Sequence, residues 1–150
     1  MGQSLAKNLL HLVFSTKHRV PVLTDTIRPE LHRYAAGILA DLESPAIAIN
    51  SVADHSHILF SRSKNRALAD VIMEVKCGSS KWLKTKGAEF AEFHWQNGYG
   101  AFSVSQSSVA DVVDYIAKQA EHHRRLTFQD ELRKILLRHE QEFDERYVWD

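Results

Sequence analysis

Four short runs of β-forming residues alternate with long amphipathic stretches, and their order restricts the chain to very few folds. Residues 8–14 (N-L-L-H-L-V-F), 45–52, 55–61 and 98–105 read as strands. Between them, residues 26–42 carry Ile27, Leu31, Tyr34, Ala35, Ile38 and Leu42 at helical spacing, with Pro29 tolerated in the first turn. A second helix is predicted over residues 67–84, where Leu68, Val71, Ile72, Val75 and Trp82 supply the apolar positions. After the last strand, Ser108 with Asp111 and Thr127 with Asp130 carry capping-box signals for a helix from 108 and another over 128–141. The order β-α-β-β-α-β-α-α opens with the split βαβ pattern, and right-handed crossovers turn it into an antiparallel four-stranded sheet. The predicted class is α+β: a ferredoxin-like βαββαβ sheet with additional C-terminal helices, in a single domain over residues 1–150. On this reading the helices cover one face and leave the other for a ligand or partner.

Charge excludes little but directs the search. Lys+Arg and Asp+Glu balance at 19 each, so any basic surface must arise by segregation. The lone cysteine, Cys77, excludes an internal disulfide framework and a Cys-rich zinc site, and is expected to pack within its helix. No apolar leader and no 18-residue apolar run occur, so a cytoplasmic protein without a membrane span is expected. No G-x-x-x-x-G-K-[ST] phosphate loop is present.

The stretch V-A-D-H-S-H-I-L-F, residues 52–60, sets two imidazoles one residue apart on a strand. Side chains alternate along a strand, so His55 and His57 share one face while Ser56, Ile58 and Phe60 take the core side. Two parallel imidazoles suit a shared divalent ion, or they are ordinary polar residues on a half-exposed strand. A further ligand has to come from elsewhere. The helix from Ser108 has an apolar stripe of Val109, Val112, Val113, Ile116, Ala117 and Ala120, with Tyr115 and Gln119 four apart on its edge. Gln119 offers a carbonyl oxygen and Tyr115 a phenol nucleophile; taken alone, both also fit as boundary and solvated residues.

Together, H-S-H on a strand and Y-I-A-K-Q on a later helix resemble the single-tyrosine HUH transposases of the insertion-sequence 200/605 group. H-L-V-F-S-T-K-H-R-V-P-V-L is similar to that family's opening strand and loop, and F-D-E-R-Y-V-W to its tail. G-Y-G-A-F-S-V-S followed by V-V-D-Y-I-A-K-Q-A-E-H-H is similar to its last strand and tyrosine helix. The resemblance implies that His55, His57 and Gln119 hold the metal and that Tyr115 is the nucleophile. It implies a 5′-phosphotyrosine intermediate in cleaving and rejoining single-stranded DNA, recognition of hairpins at element ends, and a homodimer. One residue departs: Ser56 stands where the family usually has a bulky apolar side chain.

Two imidazoles and an amide favour late transition metals by affinity, whereas the resemblance implies Mg²⁺ or Mn²⁺. Candidate DNA contacts are Lys17 and Arg19 beside His18, then Lys76, Lys81 and Lys84 with Trp82, then Arg124 and Arg125; each is also readable as a solvated face, the better reading for any single lysine. His122 continues the Tyr115/Gln119 stripe toward a phosphate or lies at a solvated helix end, while Trp95 and Trp149 read as packing anchors. Two other functions fit the same features: a host-repurposed nuclease that processes repeats in single-stranded DNA, or a non-catalytic nucleic-acid-binding module.

Overall fold

The computed structural model describes residues 2–150. Strands β1 (Leu9–Ser15), β2 (Ala46–Ser51), β3 (His55–Ser61) and β4 (Gly100–Val104) form one antiparallel sheet in the order β2-β3-β1-β4. Helix α1 (Ile27–Asp41) crosses from β1 to β2, and α2 (Leu68–Leu83) from β3 to β4. β3 therefore lies between the two strands that α1 joins, the split arrangement expected from the element order. The β4 run is shorter than expected, because residues 98 and 99 lie outside the ladder.

The pleat divides the strands as alternation requires. Leu12, Phe14, Ile58 and Phe60 face α1 and α2, and meet Leu31, Ala35 and Leu39 from one helix and Val71, Ile72 and Val75 from the other. Each such side chain, fully buried, contributes roughly 1.5–3 kcal/mol. Trp95 anchors this core as expected, its indole N–H donating to Ser79 Oγ at 2.9 Å. Cys77 is exposed rather than packed, because it falls on the solvent side of α2.

The second sheet face is not free. Helix α5 (Phe128–Arg138) lies across it and buries Phe128, Leu132, Ile135 and Leu136 against Val13 and Phe102, with Trp149 packed alongside. Those four residues stand at i, i+4, i+7 and i+8, one apolar stripe that needs a surface to cover. Gly100 permits the approach: a Cβ there would lie 3.0 Å from the Phe102 ring and 3.3 Å from Leu132 Cδ1. α5 starts at the expected cap, Thr127 Oγ1 accepting from Asp130 N–H at 3.1 Å, and stops at Arg138 rather than 141.

Helix α3 (Val109–Ala117) packs across β2 and β3, tied by Asn50 Nδ2–H donating to the Ile116 carbonyl at 2.9 Å. Ser108 does not cap it; a short 3₁₀ turn at Gln106–Ser108 precedes it, and the Ser108 hydroxyl accepts from Ser105 Oγ instead. The tyrosine helix also breaks at Lys118, so that Gln119 opens a separate short helix, α4 (Gln119–His122). Of the expected apolar stripe only Ile116 is fully buried, and Ala117 and Ala120 are exposed. Among the described residues, no helix is long and apolar enough to cross a membrane.

Candidate active site

His55 and His57 point to the α5 side of the sheet, and both are completely buried. They are not half-exposed, since the helix the sequence left unplaced roofs them over. Each uses its Nδ1 on a neighbour. His55 Nδ1–H donates to Asp54 Oδ1 at 2.7 Å, and His57 Nδ1 lies 2.8 Å from Nε2 of His11, across on β1. Both Nε2 atoms therefore face inward. Outer partners of this kind set the tautomer and ring angle of a ligating imidazole. Burial, then the neighbouring His57, holds the His11 pKa down at about 3, so His11 stays neutral while exchanging that hydrogen bond.

The inward nitrogens meet Glu131 of α5, which is 2 % exposed. Its Oε1 lies 2.9 Å from His57 Nε2, 3.0 Å from His123 Nε2 and 3.2 Å from His55 Nε2. Burial alone would raise the Glu131 pKa, but the imidazoles of His123, His55 and His57 crowded against its carboxylate hold it far below the usual carboxylate range. Burial likewise works against a charge on His55, yet Asp54 and Glu131 more than offset it and raise that imidazole's pKa. His57 goes the other way: its burial, with His55 and His123 alongside, outweighs Glu131 and lowers it.

The donor set fits a divalent cation. His123 Nδ1–H donates to the Leu126 carbonyl at 2.7 Å, as His55 Nδ1–H does to Asp54, so both Nε2 atoms carry lone pairs unless a second proton is added. His55 Nε2 is buried and, despite its proximity to Glu131, makes no aligned hydrogen bond. Lone pairs facing a carboxylate require a positive charge among them, supplied by protons or by a metal. Ligand atoms of His55, His57, His123 and Glu131 all lie within 4.8 Å of one another.

Tyr115 projects from α3 and donates its O–H to the second oxygen of Glu131. Its ring sits 5.9 Å from that of His57 and stacks on His122 at 4.6 Å and 26°. Burial first, and the Glu131 hydrogen bond next, push the phenol above its ordinary pKa. Gln119 is fully buried; its amide N–H reaches the Tyr115 carbonyl, and its Oε1 lies 3.2 Å from His123 Nε2, at the rim of the cluster. The four residues singled out around the histidine strand and the tyrosine helix thus converge within one chain. Sequence reasoning missed His11, Asp54, His123 and Glu131. The available signals were the acidic neighbour of H-S-H, the H-H pair at 122–123, and a carboxylate inside the apolar stripe of α5.

The expected DNA contacts scatter. Lys76 is committed elsewhere: its Nζ donates to the carbonyls of Gln96, Asn97 and Gly98 at 2.7, 3.0 and 2.9 Å. It staples a loop, because those three carbonyls have no ladder partner. Lys81 is exposed on α2 and Lys84 just past its end, Arg124 and Arg125 on the turn after α4, and Lys17 sits 3.5 Å from Asp150. Arg19 is half-buried in a turn at φ 58. His122 meets Tyr115 rather than open solvent.

Residues 4–119 match the family model described as "Transposase IS200 like". The chain belongs to the IS200-like transposase family. Among its relatives is the ISDra2 transposase TnpA of Deinococcus radiodurans, 25% identical over 114 residues that cover 73% of this chain and 81% of that protein. The fold of this IS200-like transposase is similar to the crystal structure of a transposase candidate from D. radiodurans, with a TM-score of 0.63 and 22% identity over 79% of this chain and 96% of that one. It is similar too to a REP-associated tyrosine transposase solved with a REP hairpin, with a TM-score of 0.60 and 14% identity over 82% of this chain and 73% of that one. His123, Glu131 and all of α5 lie beyond the residues matched by the family model.

Proposed function

We propose that this chain cleaves and rejoins single-stranded DNA with Tyr115 as nucleophile, beside a divalent ion held by His55, His57 and Glu131, with His123 and Gln119 at its edge. The observation that carries this reading is the sharing of one carboxylate: Glu131 meets the imidazole nitrogens through one oxygen and the Tyr115 hydroxyl through the other. The Tyr115 oxygen bonds to phosphorus as the P–O3′ bond breaks, the phenol proton passes in net to the departing 3′-oxygen, and the 5′-phosphotyrosine keeps the phosphodiester energy for rejoining. A Mg²⁺ or Mn²⁺ ion, when bound, would polarise the non-bridging oxygens and help hold the phosphate in line. A mixed set of imidazoles, carboxylate and amide suits Mn²⁺ better than Mg²⁺, which prefers oxygen alone. Glu131 orients the phenol rather than stripping it, because a carboxylate held so far below its usual range is a weak proton acceptor. His122 and the Glu131 hydrogen bond restrict the Tyr115 ring, supplying the positioning that dominates phosphoryl transfer.

Because α3 brings Tyr115 to the histidines of its own β3, we read the nucleophile as acting in cis; a homodimer is not needed to complete the site. Hairpin recognition is supported by the fold shared with the transposase bound to a REP hairpin. That likeness and the cis site also favour a second reading, a repeat-processing nuclease, separable by substrate choice and light scattering. The decisive experiment mixes the protein with a hairpin-ended single strand and Mn²⁺. A covalent 5′-tyrosyl adduct is expected, and it must vanish in Tyr115→Phe. An adduct that persists there removes Tyr115 from its role.

A further inference from the structure

A cavity of about 710 Å³ opens beside Tyr115, between α3 and α5 and along the end of β4. Its walls differ. On the α5 side Lys134 and Arg138 follow Glu131 along the helix. Helical spacing sets them about 4.5 and 10.5 Å along the axis from Glu131, on the same face. Both are exposed, and neither forms an ion pair or hydrogen bond among the described residues. Arg138 is near enough for its charge to act on the Tyr115 phenol. The opposite wall carries the hydroxyls of Ser103, Ser105 and Ser108, with Asp111 as its carboxylate.

From this arrangement we infer that the α3/α5 cleft is the track for the sugar–phosphate backbone of a single DNA strand, with Lys134 and Arg138 as its phosphate contacts. This rests on the reading of Tyr115 as nucleophile, since a track is useful only if it delivers phosphorus to that phenol. Uncommitted cations in a row are what a polyanion neutralises at least cost. Some cations elsewhere are spent, as Lys76 is on three carbonyls and Arg133 on Glu145, while the exposed Lys81, Lys84, Arg124 and Arg125 stand outside this cleft. Serine hydroxyls can donate to phosphate oxygens without selecting a base. Lys134 and Arg138 lie beyond the family-matched residues, while Tyr115 and the serines of the opposite wall lie within them.

The test uses the full chain and a fluorescein-labelled oligothymidylate, by anisotropy in EDTA across a salt series. Lys134→Gln and Arg138→Gln should each weaken binding roughly fourfold at ~0.15 M salt and flatten the log–log salt slope by about 0.7. Lys134→Arg and Arg138→Lys should restore both, which a merely structural role would not predict. Unchanged affinity and slope in the double Gln variant, with unchanged thermal unfolding, would overturn the track. The adduct experiment reads the nucleophile separately, so either idea can fail without the other.

Discussion

Glu131→Gln probes the most consequential residue of the site with almost no change in shape. In the parent, Oε1 has three imidazole nitrogens within 3.2 Å and the other oxygen accepts from Tyr115. The amide keeps one acceptor and adds an N–H₂ that must face either the imidazoles or the phenol. Hydrogen bonds to a charged group contribute about 1.5–3 kcal/mol each, and neutral ones about 0.5–1.5. Two well-aligned imidazole contacts, to His57 and His123, are weakened, so the expected loss is ~2–3 kcal/mol. It stays below the roughly 3–5 kcal/mol for breaking a buried ion pair, because an imidazole can release its proton. For a domain of this size ~1 kcal/mol lowers Tm by roughly 2–4 °C, so a fall of about 5–10 °C should appear. Urea unfolding at pH 7 in EDTA, with circular dichroism, reads the change free of any metal contribution. An unchanged or higher midpoint would show that the imidazoles do not hold the carboxylate charged, and the electrostatic account of the cluster would be wrong.

Other consequences can be checked as directly. Asp54→Asn should weaken Mn²⁺ binding by about 10- to 100-fold in calorimetry, because Asp54 orients His55 without touching the inward nitrogens; equal affinity would mean the ring needs no such partner. Leu132→Ala, at a position 3% exposed, should cost roughly 2–5 kcal/mol and loosen α5 from the sheet, seen as faster amide exchange in residues 128–138; a loss confined to a few tenths would show that α5 is not anchored there. His32 sits at a pKa of about 4 rather than 6.5, chiefly through burial and then through Arg28. The unfolded chain therefore binds the extra proton first, so this contribution is whole above pH 6.5 and is lost as pH falls toward 4. His32→Gln should recover about 2 kcal/mol relative to the parent between pH 7.5 and pH 4.5; a constant difference across that range would contradict the assignment.

The order of strands and helices, the partition of β3 into two faces, and the pairing of His55 with His57 were all legible in the chain. Each is a local matter: alternation along a strand and periodicity along a helix depend on near neighbours alone. The apolar positions of α5 can be read off the sequence by their spacing, but not what they cover. An apolar face says that burial is needed and leaves the surface open. Docking on the second sheet face was decided by the complementarity of Val13, Phe102 and the gap at Gly100 to that stripe. That one docking event changed the site. It buried the histidines, inserted Glu131 between them and Tyr115, and brought His123 alongside. Linear spacing cannot reveal that residues 57 and 131 share a hydrogen bond, because the distance between them is closed only by packing. The chain by itself determined which groups could do chemistry; the tertiary structure decided which of them meet, since burial and charge belong to a place in the fold and not to a position in the sequence.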